Sequence, residues 1–62
     1  MCESKAVLVA NGREEEIMDN VALLEIRNGK ILLKDILGES LEVNYVLSKI
    51  DFINHKIVFI KR

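Results

Sequence analysis

Two Asn-Gly dipeptides, at residues 11–12 and 28–29, constrain the fold of this 62-residue chain more than any other feature. Asn-Gly is the dipeptide best suited to a two-residue β-turn in which both central residues have a positive φ. A short apolar run leads into each dipeptide and a second run follows it, so the sequence predicts two β-hairpins. The four predicted strands are residues 5–10, 13–18, 21–27 and 30–34, and the polar run 13–18 is expected at a sheet edge.

The second half of the chain predicts a bend and a third hairpin. Gly38 suits a bend, and residues 41–45 alternate apolar and polar side chains with the period of a half-buried strand. Residues 48–53 and 56–61 flank Asn54-His55 and form the hairpin pattern. The last run is apolar on both faces, so it must be central or lie against another subunit. We interpret it as part of a dimer interface.

The middle of the first half is more ambiguous. Asp19 and Asn20 tolerate turn conformations and predict a turn between strands. The main alternative is one or two helical turns within residues 14–24, although no helical period persists for three turns. We therefore predict an all-β protein, with a single domain over residues 1–62. Its predicted architecture is one strongly curved sheet or a small SH3-like barrel of six to seven short antiparallel strands.

A chain of this length has a thin core, because it buries only about 60% of the surface that its unfolded form exposes. Small folds are commonly reinforced by disulfides, a structural metal or self-association. The single cysteine cannot form an internal disulfide, and Cys2 with His55 are too few ligands for a structural zinc site. We therefore expect a homodimer.

Charge and hydropathy restrict the location and the partners. No apolar run approaches the length that spans a bilayer, and the N-terminus lacks a signal-peptide core. We expect a cytoplasmic protein with no membrane partner. The cytoplasm also keeps a free thiol reduced. Lysine and arginine number 9 against 10 acidic residues, so the overall charge does not attract polyanions.

Cys2 is the most informative residue for function. The α-amine of Met1, the amide nitrogen of Cys2 and its thiolate are adjacent donors that can chelate a metal in one plane. Such a donor set favours Ni(II) or Cu(II), and nickel fits better because thiolates tend to reduce Cu(II). If Met1 were removed, two chains could instead supply two nitrogen and two sulfur donors. The alternative is that Cys2 is an incidental residue on a frayed chain end.

The sequence also resembles the CooT family, small nickel-binding proteins associated with maturation of carbon monoxide dehydrogenase. The resemblance rests on MCESKAVLV at residues 1–9, EEEIMDNV at 14–21, LGE at 37–39 and DFINHKIV at 51–58. It implies a β-fold homodimer that holds Ni(II) through Cys2, with the two termini side by side and Met1 and Glu3 as backbone donors or neighbours. It further implies metal delivery to a nickel enzyme, or work with its maturation factors. Relatives have also been labelled predicted RNA-binding proteins.

Two other groups could bind metal. His55 is an alternative ligand, since neutral imidazole binds nickel. A lone histidine in a turn is usually solvated, and the sequence does not place this turn near Cys2. Glu14 and Glu16 share one face of their strand and could hold a hard cation weakly. A solvated edge that discourages sheet pairing is the better interpretation of this acidic run.

Catalysis and RNA binding are the remaining function classes. We expect no enzymatic activity, because a terminal thiol is poorly preorganised and no cofactor motif is present. A small β-barrel could bind RNA through aromatic platforms and a basic groove. Only Tyr45, Phe52 and Phe59 are aromatic, and we expect Phe52 and Phe59 to supply the core. The basic residues are spaced like ordinary solvated side chains: Lys30, Lys34, Lys49, Lys56, Lys61 and Arg62.

Overall fold

The computed structural model describes residues 3–62, so the predicted metal ligands Met1 and Cys2 lie outside the described residues. The part that is described consists of six strands joined by turns and contains no helix, which confirms the all-β class. The alternative helix within residues 14–24 is wrong, because these residues belong to a strand. The strands are β1 (Ser4–Ala10), β2 (Arg13–Arg27), β3 (Lys30–Asp35), β4 (Ser40–Val43), β5 (Val46–Asp51) and β6 (Lys56–Ile60).

All six strands belong to one sheet, in the order β4-β3-β2-β1-β6-β5. Four of the five pairs are antiparallel, as predicted, whereas β1 and β6 are parallel. Strands β4 and β5 are opposite edges of the sheet, yet only residues 44 and 45 connect them. The sheet must therefore curl until these edges meet at one corner, which makes it a half-barrel. This is the strongly curved sheet that the sequence predicts.

Both Asn-Gly dipeptides form the predicted turns. The φ angles are 55° and 75° at Asn11 and Gly12, and 53° and 77° at Asn28 and Gly29. These left-handed values match the twist of the flanking strands, which is why such turns close two-residue hairpins. The first turn joins β1 to β2, and the second joins β2 to β3.

The predicted turn at Asp19-Asn20 is wrong, because β2 continues through it for 15 residues. Asn20 does adopt a positive φ of 54°, and the register with β1 and with β3 shifts near this point. These residues therefore bend the strand instead of reversing it. Within the described chain, the half of β2 before the bend pairs with β1 alone, which agrees with its predicted edge position. Strand β3 pairs with β2 from Val21 onward.

The core lies on the concave face of the curled sheet. Phe59 of β6 and Leu33 of β3 are its largest fully buried side chains. They come from the two halves of the sheet that the bend in β2 folds toward each other, so burial of these side chains holds the half-barrel closed. The buried core residues are Ala6, Leu8, Val21, Ile31, Leu33, Val43, Ile57 and Phe59.

A second buried pair lies on the opposite face, where Val7 and Val58 are neighbours in register. Lys56 Nζ donates hydrogen bonds of 2.9 and 3.0 Å to the carboxylate of Glu14, so its side chain reaches from β6 across β1 to β2.

Strand β6 is central, between β1 and β5. Its central position accounts for its two apolar faces within one chain, and its part in a dimer interface stays a prediction.

The third hairpin is confirmed, but its first strand ends at Asp51. Phe52 and Ile53 were expected to extend that strand, and Phe52 was expected to supply the core. They lie instead in the turn and are highly exposed. The expectation fails because hydrogen bonds to the Asp51 side chain fold residues 52–55 into a turn.

Candidate metal centre

The chain start that carries Cys2 enters the sheet at β1, beside the turn that joins β5 to β6. The backbone N–H of Lys5 donates a 2.8 Å hydrogen bond to the carbonyl oxygen of His55, and Ser4 faces Val21 of β2. Strand β1 is thus fixed on both sides from its first residues. Cys2 precedes this anchored point by only three residues.

His55 lies close to the chain start in space, although the two are far apart in sequence. The hydrogen bond joins His55 directly to Lys5, at the start of β1. His55 is exposed and has a φ of 55°. The parallel pairing of β1 with β6 therefore brings His55, the alternative ligand, to the end of the sheet at which β1 begins.

Asp51 organises the turn that presents His55. Its Oδ1 accepts hydrogen bonds from the backbone N–H groups of Ile53 and Asn54, at 3.1 and 3.0 Å, and its Oδ2 accepts one from the Asn54 side chain at 2.9 Å. The Asn54 side-chain and backbone hydrogen bonds, together with that of Ile53, hold the pKa of Asp51 below its ordinary value. The carboxylate form of Asp51 is thus the form that holds this turn.

Asp51→Asn is expected to remove part of the acid sensitivity of the fold. Because the folded-state pKa is depressed, the contribution of Asp51 to stability is complete above the ordinary aspartate pKa of about 3.9 and is lost as pH falls through the folded value. Thermal unfolding is measured between neutral pH and about pH 2. The melting temperature should fall less steeply with decreasing pH in Asp51→Asn than in wild type. Glu15→Gln, at an exposed site on β2, is the matched control. An unchanged decline in Asp51→Asn would contradict the assigned role.

The acidic run on β2 is engaged by lysines. Glu14 binds Lys56, as described above, and the Lys5 ammonium lies 3.6 Å from the Glu16 carboxylate. Glu14 and Glu16 face Val9 and Val7 of β1, which confirms that they share one face of the sheet. Both carboxylates that were candidates for a hard cation are therefore paired with lysines.

The aromatic residues do not form one platform. Phe59 is buried in the core, Tyr45 is half-buried beside it, and Phe52 is exposed in the β5–β6 turn. Of the candidate basic residues, Lys30 and Lys56 form ion pairs with Glu42 and Glu14. Aromatic and basic groups are thus distributed over several parts of the surface.

Two further findings concern residues 3–62. They contain no group of three or more histidine, cysteine, aspartate or glutamate side chains arranged to hold a metal ion. In the same part of the chain, no helix has the length and apolar character needed to cross a bilayer.

Comparisons with known proteins agree with the observed architecture. A family model described as "CO dehydrogenase accessory protein CooT" matches residues 1–60. The fold is similar to the crystal structure of a protein assigned as CooT from Carboxydothermus hydrogenoformans, with a TM-score of 0.89 and 23% sequence identity over 98% of each chain. Among curated protein sequences, none matches.

Proposed function

The chain belongs to the CooT family of CO dehydrogenase accessory proteins, and from this premise we propose that it is a homodimeric nickel-binding protein that holds Ni(II) through Cys2. In this proposal residues 1–62 act as one domain in the cytoplasm. The protein supplies nickel to, or assists maturation of, a nickel enzyme such as carbon monoxide dehydrogenase. It is an accessory factor and catalyses no reaction itself.

The observation that carries the proposal is the extent of the family match. The match begins at residue 1 and therefore includes the Met1-Cys2 start, the chemically most specific part of the sequence. A thiolate beside an amine and an amide nitrogen suits Ni(II), which accepts nitrogen and sulfur donors in a planar arrangement. The donor set of the chain start thus fits the proposed cargo.

The fold supports the proposal by anchoring the first residues of β1. The hydrogen bond from Lys5 to His55 leaves only residues 1–4 before the first anchored amide. In this proposal the donors of Met1 and Cys2 receive the metal from solvent at the end of the sheet where β1 begins, and release it again there. His55, at the same end, is the candidate for an additional imidazole ligand.

Dimer formation is the second part of the proposal. A single chain offers three donors at Met1 and Cys2, whereas planar Ni(II) takes four. A second copy with its terminus alongside supplies further donors. A 62-residue fold with a thin core also gains stability from self-association.

Titration of the reduced, intact protein with Ni(II) tests the proposal. We expect thiolate-to-nickel charge-transfer absorption that saturates at a defined stoichiometry, with sedimentation velocity showing a dimer. One nickel per two chains would indicate a shared site, and one per chain would indicate separate chelates. Failure to retain nickel at micromolar concentration would reject the function.

A further inference from the structure

The half of β2 before the bend has an open edge. Within residues 3–62 this half pairs with β1 on one side only, because β3 joins β2 at Val21. Residues 13–16 of β2 face residues 7–10 of β1, whereas β1 begins at Ser4. We refer to residues 13–17 as the open edge. It lies toward the far end of β1 from Ser4, and none of its residues is a proposed nickel ligand.

The register of the first hairpin shows which backbone groups of the open edge face outward. Ala10 and Arg13 face each other across the two-residue turn, and the residues that flank such a turn form a hydrogen-bonded pair. Bonded and non-bonded pairs alternate along an antiparallel ladder, so Glu14 and Glu16 belong to the non-bonded kind. Their N–H and C=O groups therefore point away from β1. This is the arrangement with which a strand edge accepts another extended chain.

A groove of about 510 Å³ lies between the open edge and residues 41–45. Its volume is in the range of natural ligand pockets, roughly 300–1,000 Å³. Leu41 on one side is 42% exposed, and Ile17 on the other side is half-buried. An extended chain that pairs with the open edge therefore has apolar surface on which to pack. The apolar residues of the groove are Leu8, Ile17, Leu41, Val43 and Tyr45.

The groove is acidic. Within the described part of the chain its charged lining residues are three glutamates, with no lysine or arginine: Glu15, Glu16 and Glu42. Lysine ammonium groups lie 3.6 Å from Glu16 and 3.8 Å from Glu42, whereas Glu15 forms no ion pair with a described residue. Glu15 faces the core residue Leu8 and so lies on the face of β2 that borders the groove. Its carboxylate is therefore available to a basic group of a partner.

We propose that the open edge binds an extended segment of another protein as an additional strand, and that this segment carries an apolar and a basic side chain two residues apart. Main-chain hydrogen bonds to Glu14 and Glu16 hold the segment in place. Side chains two residues apart share one face of a strand. The apolar side chain packs against Ile17 and Leu41, and the basic one meets the carboxylate of Glu15.

The acidic run favours such a partner over a second copy of this chain. Two copies paired through their open edges would bring the glutamates of both runs close together, and like charges on paired strands destabilise a sheet. A basic segment replaces this repulsion with attraction. The same charges that discourage self-pairing thus select the partner.

A capped synthetic peptide of sequence Thr-Val-Thr-Lys-Thr-Val-Thr tests the open edge directly. Its lysine and its two valines share one face when the peptide is extended. In an NMR titration of the isotope-labelled full-length protein, we expect saturable binding at millimolar peptide concentration or below. Amide hydrogen exchange should slow at Glu14 and Glu16, and should stay unchanged in the edge strand β5. Absence of binding, or binding without protection of these two amides, would overturn the inference.

A charge exchange tests the role of Glu15. In Glu15→Lys we expect about three- to tenfold weaker binding of the lysine peptide, and tighter binding of the same peptide with glutamate in place of lysine. Glu39→Lys is the matched control, because it makes the same change at an exposed residue that does not line the groove. It should bind both peptides as wild type does. Equal effects of the two substitutions would mean that only the overall charge matters, and would overturn the inference.

Two further measurements identify the occupant and separate it from nickel binding. Protection of Glu14 and Glu16 that rises with protein concentration, without peptide, would identify a second copy as the occupant and overturn the inference. Glu15→Lys should bind Ni(II) as wild type does, because Glu15 is not a proposed ligand. Loss of the peptide with nickel still bound therefore supports the open edge without bearing on the metal site.

Discussion

Cys2→Ser is expected to weaken nickel binding by at least about 100-fold and to abolish the thiolate charge-transfer band. Loss of residues that merely support metal ligands costs 10–100-fold in affinity, so loss of the only sulfur ligand should cost more. Serine preserves the size of the side chain but is a much poorer ligand for Ni(II) at neutral pH. The measurement is a nickel titration followed by absorption and by a competing chelator.

The fold should survive Cys2→Ser, because the side chain precedes β1 and every core residue lies within the described strands. His55→Ala is the companion variant, since His55 lies at the same end of the sheet. It should retain the charge-transfer band, which requires the thiolate, and any loss of affinity would measure imidazole coordination. Unchanged affinity in Cys2→Ser would show that the metal binds elsewhere.

Much of the fold could be predicted because its turns are encoded by adjacent residues. Asn11-Gly12 and Asn28-Gly29 each specify their turn through their own φ preferences, and both hairpins form as predicted. The parallel pair of β1 and β6 could not be predicted in this way. It joins Lys5 to Lys56, from opposite ends of the chain, and no local pattern marks such a pairing.

The same distinction applies to the candidate site. The chemistry of Met1 and Cys2 follows from the donor atoms of neighbouring residues, whereas the nearness of His55 to the chain start depends on the parallel pair. Asp51 was missed as the residue that ends β5, because the run through Ile53 resembles one continuous strand. An aspartate three residues before Asn54 was the available signal, since aspartate side chains accept hydrogen bonds from the following backbone.

Phe59→Ala is expected to remove a large part of the stability of the fold. Truncation of a buried phenylalanine to alanine costs about 3–5 kcal/mol, through lost burial and the cavity that remains. At roughly 0.05–0.15 kcal/mol per residue, a 62-residue domain has about 3–9 kcal/mol of total stability. The substitution would therefore remove between about a third and all of the free energy of unfolding.

Phe52→Ala is the matched control for this prediction, because it makes the same substitution at a side chain that is 81% exposed, whereas Phe59 is 0% exposed. Phe59 faces Leu8 of β1 and Leu47 of β5 in register, so its truncation leaves a cavity at the centre of the sheet. Urea unfolding of nickel-free protein at low concentration, followed by circular dichroism, should place Phe52→Ala within about 0.5 kcal/mol of wild type. Similar midpoints for the two variants would contradict the assignment of Phe59 to the core, and with it the packing that fixes β6 beside the anchored start of β1.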